Sequence, residues 1–347
     1  MRIGYWTTAC LQPEIEAISK EVLQLASHFQ RSFVFGISPH YIFRASWRNR
    51  SIGFHNAFDP ILRLIVPMIE SACDIGHFYG EPSPWTFVKT LRAKPLVMTV
   101  ASEKGLPDTD FLIRCKKVIV QTSSYYEKLV GIGVEKDKLE LIYPGVDQRV
   151  FNPGARDFGP LKNPRIIFAT APRSETEMRN RGVYLLLEAA KLSSEVRYHL
   201  LYRNWTNGHT SLAATKKSLE LQPLTNVTLT SSVVTDMHAL YRGYDFTIIP
   251  YTTRDGGKEC PTSAVEGLAC GLPALISSIA PFAEFIDEYK CGVVFDPTPS
   301  NLVRAVEVGM RHYRELSTNA VNVAQRFFSL PRFLERMTQI YADILHK

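Results

Sequence analysis

Residues 246–277 read FTIIPYTTRDGGKECPTSAVEGLACGLPALIS. Phe246–Pro250 is a short, β-branched apolar run and reads as a strand. A turn-forming DGG follows at Asp255–Gly257, then Pro261, whose fixed φ suits the first turn of a helix. That helix covers Thr262–Cys270; Gly271 ends it, Pro273 prevents its continuation, and Ala274–Ser277 begins the next strand. A helix N-terminus presents free amides and a partial positive charge, so Cys260, Pro261, Thr262 and Ser263 stand where a phosphate would be held. Glu266, about a turn and a half into the helix, can accept hydrogen bonds from ribose hydroxyls. An ordinary strand–turn–helix–strand unit with no ligand explains the same residues when they are read alone.

The same alternation runs outward in both directions. Ile3–Trp6, Phe33–Gly36, Ile75–Tyr79, Pro95–Val100 and Lys117–Gln121 read as strands, with helical patterns at Glu14–Phe29, Ile61–Ala72, Trp85–Arg92 and Ser123–Val130. At Tyr143–Pro153, YPGVDQRVFNP breaks the pattern with two prolines and a glycine, as a domain junction would. It then restarts through strands Ile166–Ala169, Arg197–Tyr202 and Val227–Thr230, and the chain ends helically from about Asn301, broken near Ser329–Pro331. This β-α-β order predicts two α/β, doubly wound Rossmann-like halves facing across a cleft, with ligands at the carboxyl ends of the strands.

Composition agrees. A chain of 347 residues, 45% of them hydrophobic, exceeds one compact core. The 21% charged residues argue against wholesale disorder. No apolar run reaches the roughly 18 residues that span a bilayer, and MRIGYWTT reads as a first strand rather than a signal peptide. Cys10, Cys73, Cys115, Cys260, Cys270 and Cys291 form no CxxC pair and sit among apolar neighbours, so they read as reduced core thiols in a cytoplasmic protein. The net charge of +6 is spread along the chain, which argues against nucleic acid as a partner. It fits a solvated surface, or peripheral attraction to the anionic inner face of a membrane.

SAVEGLACGLPALIS resembles the donor-binding helix of the retaining GT-B glycosyltransferases of family 4. LIYPGVDQRVFNP resembles that family's interdomain segment, with Pro144 where Asn is usual. RCKKVIVQTSSYYEKLVGIGVEKDKLELIYPGVD and NVTLTSSVVTDMHALYRGYDFTIIPY resemble the strand–helix–strand units before each of these. The resemblance implies an N-terminal acceptor-side domain at 1–145, a donor-side domain at 146–329, and a last helix, 330–347, crossing back to the first. It also implies transfer of a sugar from a nucleotide diphosphate sugar with retention at the anomeric carbon. The resemblance singles out no side chain as nucleophile and implies neither metal nor cofactor. DTD at Asp108–Asp110 reads as a helix cap rather than a metal pair.

Residue by residue, the family places an Arg soon after the first strand of the donor domain and a cation before the Gly that opens the next helix. In ATAPRSETEMRNRGVYLLLEA these are Arg173 and Arg181, expected to neutralise the diphosphate, with Arg179 as competitor. The family also spaces two glutamates eight apart; eight before Glu266 stands Lys258, with Glu259 next, and either can take that place. Acceptor-side signals are weaker: the first loop lacks the usual glycines, and Ala101 stands where a His is common. His77, Tyr79, Ser102, Glu103 and Thr122, near strand ends, are the candidates there. A catalytically inactive nucleotide-sugar-binding protein and a nucleotide-sugar epimerase remain alternatives on the same fold, and turnover separates the first of these from an enzyme.

Overall fold

The computed structural model describes residues 1–346 except 15, 103–104, 171, 203–208 and 255, and only the backbone at 209–210. Glu103 and Asp255 therefore lie outside the described residues. The chain divides into two compact units, Met1–Gly145 with Pro331–Lys347, and Val146–Leu330.

The first unit holds β1 (Ile3–Thr7), β2 (Ser32–Ile37), β3 (Phe43–Ser46), β4 (Ser51–Phe54), β5 (Ile75–Gly80), β6 (Leu96–Val100), β7 (Lys117–Val120) and β8 (Leu139–Leu141). They form one sheet in the order β3-β4-β2-β1-β5-β6-β7-β8. Every pair is parallel except β3–β4, an antiparallel hairpin. The central strands are covered on both faces, so β1 (IGYWT) and β6 (LVMTV) are buried at every position. Helices α1 (Ala17–His28), α2 (Asp59–Ser71), α3 (Thr109–Arg114) and α4 (Ser123–Gly131) connect them. Asp108 caps α3 by accepting the Phe111 N–H at 3.1 Å.

One expectation needs correcting, and one element was not anticipated. Trp85–Arg92 is not an α-helix; only a 3₁₀ turn forms, at Phe87–Thr90. Amides at its two ends have other partners: Asp59 accepts the Phe87 N–H, and the buried Glu70 carboxylate accepts that of Arg92 and, just beyond, those of Ala93 and Lys94. Carboxylates on α2 thus satisfy a backbone that would otherwise need a helix. The β3–β4 hairpin was not legible, because β3 is an edge strand of only four residues, too short for its alternation to stand out, and largely exposed.

The second unit holds β9 (Arg165–Phe168), β10 (Arg197–Tyr202), β11 (Val227–Ser231), β12 (Phe246–Ile249), β13 (Ala274–Ser277) and β14 (Gly292–Phe295), all parallel, in the order β11-β10-β9-β12-β13-β14. That is the doubly wound order, whose direction of winding reverses between β9 and β12. Helices α5 (Glu175–Asn180), α6 (Val183–Leu192), α7 (His209–Leu221), α8 (Met237–Arg242), α9 (Thr262–Ala269), α10 (Ala283–Glu288), α11 (Pro299–Arg311) and α12 (Tyr313–Phe327) complete it. Val146 donates to Phe328 O at 2.7 Å and accepts from Leu330 N at 3.1 Å, so the chain enters and leaves this unit at one point.

The last helix, α13 (Leu330–Leu345), packs on the first unit. Tyr341 on α13 reaches the middle of β5, where its hydroxyl is hydrogen-bonded to His77 Nδ1 at 2.6 Å. The other ring nitrogen, Nε2, is hydrogen-bonded to Thr99 Oγ1 at 2.8 Å. His77 is fully buried, and burial holds its pKa down to about 3. Below pH 6.5, the ordinary value, the unfolded chain takes up a proton that the folded chain refuses, so this residue lowers stability as pH drops from 6.5 toward 3. The imidazole resonances of His77 should therefore stay constant from pH 8 to pH 5 by NMR; a midpoint inside that range would show that the ring is open to solvent.

Candidate functional site

The carboxyl ends of β9 and β12 meet at the point where the second sheet changes direction, and two chain segments gather there. The first follows β9. Ser174 caps α5 by accepting the Glu177 N–H at 3.2 Å, and the Glu177 carboxylate reaches back to the Arg173 N–H at 2.9 Å. This is a capping box shifted by one residue. The same carboxylate takes Arg173 Nη2 at 2.8 Å and Arg181 Nη2 at 3.2 Å. Arg181 Nη1 also donates to Thr170 Oγ1 at 2.5 Å. Glu177 thus lies between the two arginines named from sequence and holds both. Burial alone would raise its pKa, but the charge of Arg181 and the hydrogen bonds of Arg173 bring it down to about 2.

Arg179 is elsewhere. It pairs with Glu175 on the exposed face of α5 at 2.7 Å and lies over the Tyr184 ring. Between Arg181 and α6 comes Gly182, at φ +74°, in the left-handed region. A Cβ there would stand 1.8 Å from the carbonyl oxygen of Pro250, just past β12. Only glycine permits that approach, which presses the α5–α6 connection onto the second segment. Thr252 fastens it by donating its N–H to Asn180 O at 2.9 Å and its hydroxyl to Arg179 O at 2.7 Å.

The second segment runs from Pro250 into α9. Gly256 and Gly257 are needed because the Tyr251 side chain lies against both, and Asn180 O against Gly256. The α9 ladder starts at Pro261 O, which accepts from Ala264 and Val265 at 2.9 and 3.1 Å, so Thr262 and Ser263 are its open first turn. Gly271, at φ +77°, closes it: Leu272 N–H bonds to Gly267 O and Gly271 N–H to Leu268 O, a Schellman motif. Gly267 allows α9 to lie against Thr247 of β12. Glu266 is buried in this helix at 3% exposure and Glu259 before it at 2%, as is Cys260, while Lys258 is half-buried. Arg181 Nε, Thr253 Oγ1 and Thr262 Oγ1, around the segment, are buried without a hydrogen bond among the described residues. Groups of this kind cost free energy in a folded chain unless something else supplies a partner.

Arg173, Arg181, Lys258, Glu259, Cys260, Pro261, Thr262, Ser263 and Glu266 therefore lie on two adjoining segments of one unit. The acceptor-side candidates do not gather in this way. His77 does not end its strand; it lies inside β5 with both nitrogens engaged. Tyr79 is also core, its hydroxyl donated to Glu21 Oε2 at 2.6 Å, where Gln121 Nε2 joins at 2.8 Å. Ser102 follows β6, and Thr122 follows β7 and caps α4 with a 3.4 Å hydrogen bond from Tyr125 N–H; both are buried. Sequence reasoning missed Glu177 and Thr170. The signal for Glu177 was present: it stands four residues from each arginine, and Ser174-x-x-Glu177 is a capping-box pattern. Among the described residues no three His, Cys, Asp or Glu side chains group as metal ligands would.

Solved structures of similar shape cover the chain almost end to end. HepE of Anabaena, in complex with UDP and glucose, is 14% identical, with 99% of each chain covered and a TM-score of 0.76. Sucrose-phosphate synthase of Thermosynechococcus elongatus is 15% identical, with 100% of each chain covered and a TM-score of 0.72. WaaG, a glycosyltransferase involved in lipopolysaccharide biosynthesis, is 13% identical over 99% of each chain, with a TM-score of 0.66. The chain has their two-domain, Rossmann-like GT-B fold. Within it, residues 163–311 match the family described as Glycosyl transferases group 1. That match lies within the second unit, and the likeness of the whole chain to these structures is one of fold. No curated protein matches the chain in sequence.

The Glu177 cluster sets an acid limb on stability. Its folded pKa is lowered from 4.5 to about 2, so the stabilisation is present above pH 4.5 and is lost as pH falls toward 2. Urea unfolding across that window should show wild type losing on the order of 2–3 kcal/mol from this group. Glu177→Gln should start less stable at pH 7 and lose correspondingly less on acidification; parallel curves for the two proteins would contradict the assignment.

Proposed function

We propose that the protein transfers a sugar from a nucleoside diphosphate sugar to an acceptor, with retention of anomeric configuration, as a family 4 member. The observation that carries this reading is the pair Arg173 and Arg181, held by one carboxylate on a segment that adjoins the loop leading into α9, where the winding of the sheet reverses. Two fixed cations and a first turn of free amides suit a diphosphate. Glu266 in the same helix suits the ribose hydroxyls. Support also comes from HepE, whose structures contain UDP, UDP with glucose, or UDP-glucose. A lipopolysaccharide enzyme among the structures of like fold keeps polysaccharides and glycolipids among the candidate acceptors.

In the proposed reaction the bond between the anomeric carbon and the diphosphate oxygen breaks, and the acceptor oxygen bonds to the same face of that carbon. The departing phosphate oxygen takes the acceptor's proton. Negative charge grows on the diphosphate as it leaves, and the guanidinium of Arg181, already fixed by Thr170 and Glu177, meets that charge without reorganising. Arg173 shares this role. With these cations in place the reaction as proposed calls for no metal or cofactor. Either Glu259 or Lys258 is proposed to contact the donor in the place of the family's first glutamate. The cysteines described above suit a cytoplasmic setting.

Steady-state kinetics with the preferred nucleotide sugar, found by thermal shift, tests the assignment. A ligand at a hundred times its Kd should raise stability by about 2.7 kcal/mol. Arg181→Ala should lower kcat by roughly a hundredfold or more, since its partner charge develops in the transition state. Glu266→Ala should chiefly weaken donor binding, by about 1–3 kcal/mol. Arg179→Ala, whose side chain points away into an exposed pair, should act weakly. An Arg179→Ala defect equal to that of Arg181→Ala would overturn the proposed register.

A further inference from the structure

The first unit carries an apolar face turned to solvent. On α2, Leu62 and Val66 are buried against the core, yet Ile61, Leu64, Ile65 and Met68 are exposed, Leu64 by 77% and Met68 by 74%. Their spacing of three, four and seven residues places them on one stripe, so the helix has a second apolar stripe facing water. Ile61 and Ile65 also line a recess of about 400 Å³ walled by apolar side chains, among them Phe54 and Phe58. Phe54 contacts Phe58 on one side and Phe43 on the other, at ring separations of 6.0 and 5.4 Å. The apolar surface thereby extends onto the β3–β4 hairpin, where Ile42 and Phe43 are exposed and the turn presents Trp47 at 97% exposure. Exposed apolar surface of this extent on a water-borne unit marks a contact site.

Charge indicates what it contacts. Residues 22–58 contain Arg31, Arg44, Arg48 and Arg50 and no Asp or Glu. Arg44 and Arg48 are exposed on the hairpin beside Phe43 and Trp47. The acids of α2 add no carboxylate to the face: Asp59 is taken up by Arg63 at 2.7 Å and by the Phe87 N–H, and Glu70 is buried among amides. An apolar helix stripe with tryptophan and arginine at its margin is the make-up of a segment at a membrane–water boundary. There the indole sits at head-group depth and arginine pairs with lipid phosphate.

We propose that this face docks the protein on an anionic phospholipid bilayer. The α2 stripe and Trp47 enter the boundary between head groups and acyl chains, and Arg44 and Arg48 engage the phosphates. The proposal rests on the exposed face alone, so loss of sugar transfer with vesicle binding intact would leave it standing.

Co-sedimentation tests it, using vesicles of equal parts phosphatidylglycerol and phosphatidylcholine against phosphatidylcholine alone. Wild type should partition into the anionic vesicles at least about tenfold better, and less so as salt rises. Trp47→Ser, and Leu64→Ser with Met68→Ser, should each lower that partition about tenfold or more. Arg44→Glu with Arg48→Glu should remove its salt dependence. All of these side chains are exposed, so the variants should keep the wild-type Tm, read on the same samples. The proposal is overturned if wild type ignores anionic vesicles or if the variants partition as wild type does. It is equally overturned if, without lipid, wild type self-associates through this face and the variants do not, since a second copy of the chain would then be its occupant.

Discussion

Everything at the candidate donor site depends on a close approach of backbone to backbone. The α5–α6 connection passes so near the end of β12 that a single Cβ on Gly182 would collide with Pro250 O. Because the two segments touch, Thr252 can tie itself to Asn180 and Arg179, and Tyr251 can lie over Gly256 and Gly257. Arg181, one residue before Gly182, is thereby fixed relative to the loop that leads into α9. The site is a consequence of sheet order as well, since β9 and β12 are neighbours only because the winding reverses between them.

The electrostatics follow from that packing. Two arginines at one place repel, and the folded chain resolves this with a half-buried carboxylate that contacts both. Glu177 does not cancel the charge of the pair, because two cations against one anion leave a net positive charge, which the proposed reading gives to a diphosphate. Its cost in desolvation is outweighed by the arginines, which is why its pKa falls despite burial. Buried hydrogen-bonding atoms of Arg181, Thr253 and Thr262 with no bond among the described residues agree with a place built to meet a polar ligand.

The first unit distributes its polarity differently. Its interior holds a carboxylate, Glu21, accepting from Tyr79 and Gln121, and a histidine bonded to Tyr341 and Thr99. Such groups are tolerated inside because they are paired. Meanwhile α2 and the β3–β4 hairpin display Leu64, Met68 and Trp47. Polar groups inside and apolar groups outside are both costly in water. The second cost is removed by covering the face, as the proposed bilayer contact does.

The sequence by itself determined the class of fold. Strand–helix alternation is a local pattern, and Arg197–Tyr202 and Ala274–Ser277 appear as strands with the bounds read from it. Local chemistry also placed the helix start at Thr262 and the stop at Gly271, since caps depend on neighbours in the chain. The arginines and Glu266 were legible through resemblance, as a string of residues. What sequence could not give was whom each side chain meets across the fold. His77 and Tyr79 look alike as residues near a strand end, yet Tyr341, 264 positions beyond His77, and Glu21 from α1 make them core. The Trp85–Arg92 segment has a helical pattern, but carboxylates of α2 take the amides of Phe87 and Arg92 and it winds only one 3₁₀ turn. Leu64 and Met68 have the spacing of a core stripe, and only packing shows that the core lies on the other side of α2. In each case an apolar period or a polar type states a need for a partner, and tertiary structure alone decides which partner meets it.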